Sequence, residues 1–168
     1  MSQPLLAISY FFHLIATVVW IGGLFTLVVL VWPATRRLLE TQPALYGMLT
    51  RLRQRFFPLT NLSLAVLVVT GLLQMAADPN YDGVLQFENE WSRVMLFKHI
   101  AIGGMVVCGL ALQLWIAPAL ERISLLAARG KADTAAQAQL QRQETRLTWL
   151  NVILGVLVLG FTAWATAI

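Results

Sequence analysis

The chain has 168 residues, 58% hydrophobic and only 12% charged, where an ordinary soluble domain carries about 25% charged residues. That much apolar surface exceeds what a water-soluble fold of this length can hide, since a chain of roughly 150 residues leaves about 30% of its unfolded surface in water. The formal charge of +4 sits between apolar runs and not on a polar face, which excludes nucleic-acid binding. A single cysteine, Cys108, excludes an intramolecular disulfide framework.

Four apolar runs are long enough to cross a hydrocarbon core, which takes about 20 helical residues. They cover about 5–32, 56–77, 94–119 and 147–168. Their continuous apolar character, without period-2 alternation, excludes an outer-membrane barrel. The expected fold is all-α: a single-domain, up-down bundle of four transmembrane helices in the lipid bilayer.

Span one, 5–32, carries His13 about eight residues in, then Thr17 and Trp20 on the same helical face, then Gly22-Gly23. No basic stretch precedes it and it is too long for the apolar core of a cleaved signal peptide. The connector that follows holds Arg36, Arg37, Arg51, Arg53 and Arg55 against Glu40 alone. Within it, Pro43–Arg55 reads as a short amphipathic surface helix, with Pro58 opening span two.

Span two, 56–77, holds Asn61, Ser63, Thr70 and Gln74, which with Asn151 of span four are expected to hydrogen-bond between helices. Asp78-Pro79-Asn80-Tyr81-Asp82-Gly83 reads as a turn. The connector and the head of span three hold Asp78, Asp82, Glu88 and Glu90 against Arg93 and Lys98.

Span three, 94–119, carries His99 about five residues in, with Gly103-Gly104 one turn beyond. The last connector holds Arg122, Arg129, Lys131, Arg142 and Arg146 against Glu121, Asp133 and Glu144, and 127–143 reads as a helical extension. Ten of the twelve basic residues thus fall in two connectors on one side, which the positive-inside rule makes cytoplasmic. Both termini and the acidic loop then face outward, as in a multi-pass protein of a bacterial inner membrane. Trp32, Trp115 and Trp149 fall near the cytoplasmic ends of spans, and Trp91 and Trp164 near the outer ends.

His13 and His99 are the chain's only histidines. Spans one and three enter from the same side, so the two imidazoles are expected at similar depth, where ionisable groups face a bundle interior. A haem b held by both as axial ligands suits that pattern. Gly23 and Gly103 would then allow close approach, Trp20 would pack on the ring, and Arg93 and Lys98 would pair with the propionates. Such a protein transfers electrons. Copper is the alternative: Met95, one turn before His99, and Met75 at the end of span two supply thioethers beside the same imidazoles, a set that suits Cu(I). The same methionines, with Met105, also serve as packing residues. A structural subunit needs no ligand. Glycine-lined helix faces suit a homodimer, and the outer face suits a periplasmic redox or copper-binding partner.

The run from His13 through Trp20 to Phe25, followed by Trp32-Pro33, resembles the first span of the CopD-like (copper-resistance D) membrane family. Arg93 through Lys98, Pro58 through Gly71, and Arg146 through Gly155 resemble its other spans. The His-to-Trp pattern is also similar to the HemJ-type protoporphyrinogen oxidases, small four-helix haem membrane proteins. The first resemblance implies copper uptake or tolerance beside a periplasmic copper-binding partner. The second implies haem and porphyrinogen oxidation.

Overall fold

A computed structural model describes residues 2–31, 43–81, 83, 89–128 and 134–168; within these, the side chains of 27, 43–54, 124, 127–128 and 134 are outside the description. All regular structure among the described residues is helical. Helix α1 is Gln3–Val31, α2 is Pro43–Ala77, α3 runs over 90–128 and α4 is Thr134–Ala165. Each contains a stretch long and apolar enough to cross a membrane, and only about a fifth of each such stretch is buried (18, 17, 22 and 22%). Side chains such as Leu14, Val18, Leu62 and Val107 are more than 60% exposed, a surface that water would not tolerate and lipid solvates. The chain is a multi-pass membrane protein.

The helices are longer than the expected spans at several ends. The surface helix expected over Pro43–Arg55 and the span from Phe56 are one continuous helix, with Pro58 in its interior. The proline removes only the bond to the Gln54 carbonyl, and membrane helices tolerate such a loss where other groups reach the freed carbonyl. The extension expected over 127–143 is helical on both of its described sides, to Ala128 in α3 and from Thr134 in α4. Trp32, Pro33, Arg36, Arg37, Glu40, Asp82, Glu88, Arg129, Lys131 and Asp133 lie outside the described residues.

The chain forms two compact units, Met1–Leu96 with Trp164–Ile168, and Phe97–Ala163. In the first, α1 and α2 pack against each other. The expected turn follows the end of α2: Asn80 N–H donates to Asp78 Oδ1 (2.9 Å) and Tyr81 N–H to the Asp78 carbonyl (3.2 Å). Gly83 has φ 134°, a conformation open to glycine. Asn89 caps α3 by accepting from Ser92 N–H (2.6 Å) and donates to the Asn80 carbonyl (3.1 Å). In the second unit, Phe97 of α3 stacks on Phe161 of α4 with ring centroids 6.1 Å apart.

Two helices owe their buried faces to π-helical turns. Ser9, Ala16, Trp20 and Val28 are the buried residues along α1. In an unbroken α-helix at about 100° per residue Val28 would sit roughly 100° away from Ser9. The π-helical segment Val18–Gly22 takes up one residue more than an α turn and brings Val28, within a second π-helical segment Thr26–Val31, back to the row. The segment Leu112–Ile116 does the same in α3, bringing buried Ile116 and Leu120 into line with buried Ala101 and Cys108.

Trp115, Trp149 and Trp164 are exposed, as membrane-interface anchors are, whereas Trp91 is buried at 6% exposure. Trp91 shares the first turn of α3 with buried Ser92 and Val94, so it packs inside the protein instead of anchoring in lipid.

Candidate functional site

The polar groups of α1 and α2 meet in one place. Ser9, His13, Ala16 and Trp20 recur at helical spacing on the face α1 turns to α2. His13 Nδ1 lies 2.8 Å from Thr70 Oγ1. The single hydroxyl hydrogen of Thr70 is directed at the Val66 carbonyl of its own helix, 2.6 Å away. Thr70 Oγ1 therefore accepts, and His13 Nδ1–H donates. In a neutral imidazole with its proton on Nδ1, the lone pair belongs to Nε2. This tautomer is the one a metal-binding imidazole takes when its other nitrogen is held by an acceptor.

The ring lies over a glycine. A Cβ at Gly71 would stand 3.6 Å from His13 Cε1, so Thr70-Gly71 forms a hydroxyl beside a flat backbone step that accommodates the imidazole. Buried Ser9 donates to the Thr70 carbonyl (3.4 Å), and Gln74 Nε2 donates to Ser9 Oγ (3.4 Å). Thr17 Oγ1 donates to the His13 carbonyl (2.8 Å). His13 is thus braced at ring and backbone within an apolar helix pair. Met75 follows Thr70 by five residues, about 7.5 Å along α2 toward its Ala77 end, and is half-buried.

The other expected site residues are placed as follows. Trp20 is buried inside the first π-helical segment. Gly23 carries no cofactor-sized space: a Cβ there would land on Phe56 Cζ, so the glycine admits the Phe56 ring of α2. Gly103 is exposed with nothing within 4 Å of its Cβ position, while a Cβ at its neighbour Gly104 would stand 3.1 Å from Leu154 Cδ1 of α4. Arg93 and His99 are exposed on α3, and Met95 and Lys98 are half-buried. His99 lies on the side of α3 opposite the buried row of Ala101 and Cys108, one turn from Met95.

Among the residues expected to bond between helices, Thr70 and Gln74 do so. Ser63 instead donates to the Leu59 carbonyl of its own helix (2.9 Å), and Asn151 Oδ1 is buried without a hydrogen-bond partner among the described residues. No group of three His, Cys, Asp or Glu side chains gathers among the described residues, so a metal held by them draws on such side chains singly or in pairs, together with other donors such as Met.

The copper resistance protein D family model matches residues 50–165, well over half of the chain. The chain belongs to the copper resistance protein D family. The match covers Thr70, Gln74, Met75, Arg93, Met95, Lys98 and His99 and leaves α1, with His13 and Trp20, outside it. No curated protein and no solved structure matches the chain. As a member of this family with four membrane-spanning helices, it is a membrane protein of the copper-resistance type.

Proposed function

We propose that the protein handles copper within the membrane, with His13 as a ligand of Cu(I) and Met75, about 140° round α2 from Thr70, as a separate thioether at the end of that helix. The supporting observation is the His13 Nδ1–H to Thr70 Oγ1 hydrogen bond, which fixes the ring's orientation as the bond behind a metal-bound imidazole does. Copper here is the cargo. Imidazole and thioether are neutral donors that take Cu(I) without releasing a proton. The ion keeps its charge at such a site and is held loosely enough to be passed on, which favours transfer over storage. The inner-membrane location, the outward-facing termini and a periplasmic copper-binding partner or second copy belong to this same reading and rest on the charge asymmetry of the connectors.

Haem b bound by His13 and His99, with Trp20, Gly23, Gly103, Arg93 and Lys98 around it, is the second reading. The tautomer that favours copper at His13 serves an iron equally, and the bound group would supply one-electron transfer. The exposure of Arg93 and the Phe56 ring against Gly23 favour the ion over the macrocycle.

Purified in detergent, the protein should bind Cu(I) against a competing chelator, with affinity falling at least tenfold in His13→Ala. A red preparation whose Soret band disappears in His13→Ala and His99→Ala would replace copper by haem. Copper affinity unchanged in His13→Ala would overturn the assignment of His13.

A further inference from the structure

The unit Phe97–Ala163 holds a buried polar atom that the His13 site does not use. Asn151 is 2% exposed, and its Oδ1 has no hydrogen-bond partner among the described residues. An unsatisfied buried acceptor loses its hydration without recovering a hydrogen bond, so it calls for an account.

Two contacts define the register of α3 against α4. Phe97 stacks on Phe161, and a Cβ at Gly104 would stand 3.1 Å from Leu154 Cδ1. Both pairs give the same alignment, in which every step forward along α3 is one step back along α4. Asn151 then stands level with Val107, about 1.5 Å along the axis from Cys108 and about 3 Å from Met105. Measured from the Gly104–Leu154 direction at about 100° per residue, Cys108 is turned by roughly 40°, Met105 by roughly 100° and Asn151 by roughly 60°. The helices run antiparallel, so these equal-handed rotations bring all three side chains to one flank of the contact. All three are buried, Met105 at 1% and Cys108 at 6% exposure.

We propose that Met105 Sδ, Cys108 Sγ and Asn151 Oδ1 form a second, sulfur-rich site for a soft monovalent cation, Cu(I). The two sulfurs select the ion, and the amide oxygen completes the set as its weakest donor. Binding breaks the Cys108 S–H bond, forms an S–Cu bond and releases the proton to solvent. The copper and thiolate charges cancel, so the filled site is neutral and suits a low-dielectric interior. This site would hold copper more tightly than a neutral His/Met pair. The proposal takes its choice of metal from the copper-handling reading, and His13 is no part of it.

The test is an anaerobic Cu(I) titration of the full chain in detergent, reading the near-ultraviolet thiolate-to-copper charge-transfer band and the affinity against a chelator. One equivalent should produce the band, Cys108→Ser should abolish it, and Asn151→Leu and the volume-conserving Met105→Leu should each weaken that equivalent at least tenfold. His13→Ala should leave the band intact. A band unchanged in both Met105→Leu and Asn151→Leu would mean that the thiol binds alone, and the proposal falls. No band, with copper still bound and lost in His13→Ala, overturns this site and keeps the functional reading. A band with copper binding indifferent to His13→Ala does the reverse.

Discussion

His13 and Thr70 form one unit across two membrane helices: the imidazole Nδ1 lies 2.8 Å from the threonine hydroxyl, whose own hydrogen is directed at Val66. A ring held this way has one tautomer and one orientation, because the acceptor cannot also donate to it. The copper reading and the haem reading both depend on this pair, and Thr70 is where they can be probed without touching a ligand.

Thr70→Val keeps the shape of the side chain and removes the acceptor. Cu(I) affinity should fall about 10- to 100-fold, the usual effect of losing the hydrogen bond behind a metal-bound imidazole. Thr70→Ser should retain most of it. A chelator-competition titration checks both, and equal affinities for Val and Ser would show that the bond does not orient the ligand.

Gly23 and Phe56 are matched in size. A Cβ on Gly23 would occupy the position of Phe56 Cζ, with Cε1 and Cε2 at 2.9 Å. Gly23→Ala should lower stability in detergent by about 1–3 kcal/mol, and Phe56→Leu should recover part of it in the double variant. Gly103→Ala, with open space around its Cβ position, should be neutral. Thermal unfolding of the four proteins settles the pairing.

The π-helical segment Val18–Gly22 carries one residue that an α-helix does not need. Deleting Ile21 should convert this stretch to α-helix while keeping Val28 on the buried face, so folded yield should stay close to that of the parent. Deleting Leu14, between buried Ser9 and Ala16, turns Ala16 and Trp20 about 100° off that face and should sharply reduce yield. Comparable losses for both deletions would show that the wide turn does not set the phase.

Orientation follows from charge alone and is open to a direct assay. Alkaline phosphatase fused after Ile168 should be active, and fused after Gly130 inactive, if the arginine-rich connectors are cytoplasmic. The opposite pattern would invert the topology and move the Met75 end of α2 to the cytoplasmic side.

The sequence alone was enough for the helical class, the four spans and the membrane as solvent, because apolar length and missing charge are properties of the chain itself. It also drew attention to His13 and His99 alike, since an ionisable side chain in an apolar run stands out without coordinates, and the resemblance to copper-resistance D proteins is present in its motifs. Depth along a helix can be counted from residue numbers, but rotation about its axis cannot. That is why Thr70 was legible only as a hydrogen-bonding residue of span two and not as the partner of His13. It is also why Gly23 and Gly103 looked alike in sequence, while one receives the Phe56 ring and the other faces open space. The π-helical turns add one unmarked residue each and shift every downstream side chain by about 100°. Only packing of helix against helix decides where those turns fall, and packing also decides that Thr70 Oγ1 has a partner across the helix pair while Asn151 Oδ1 has none among the described residues.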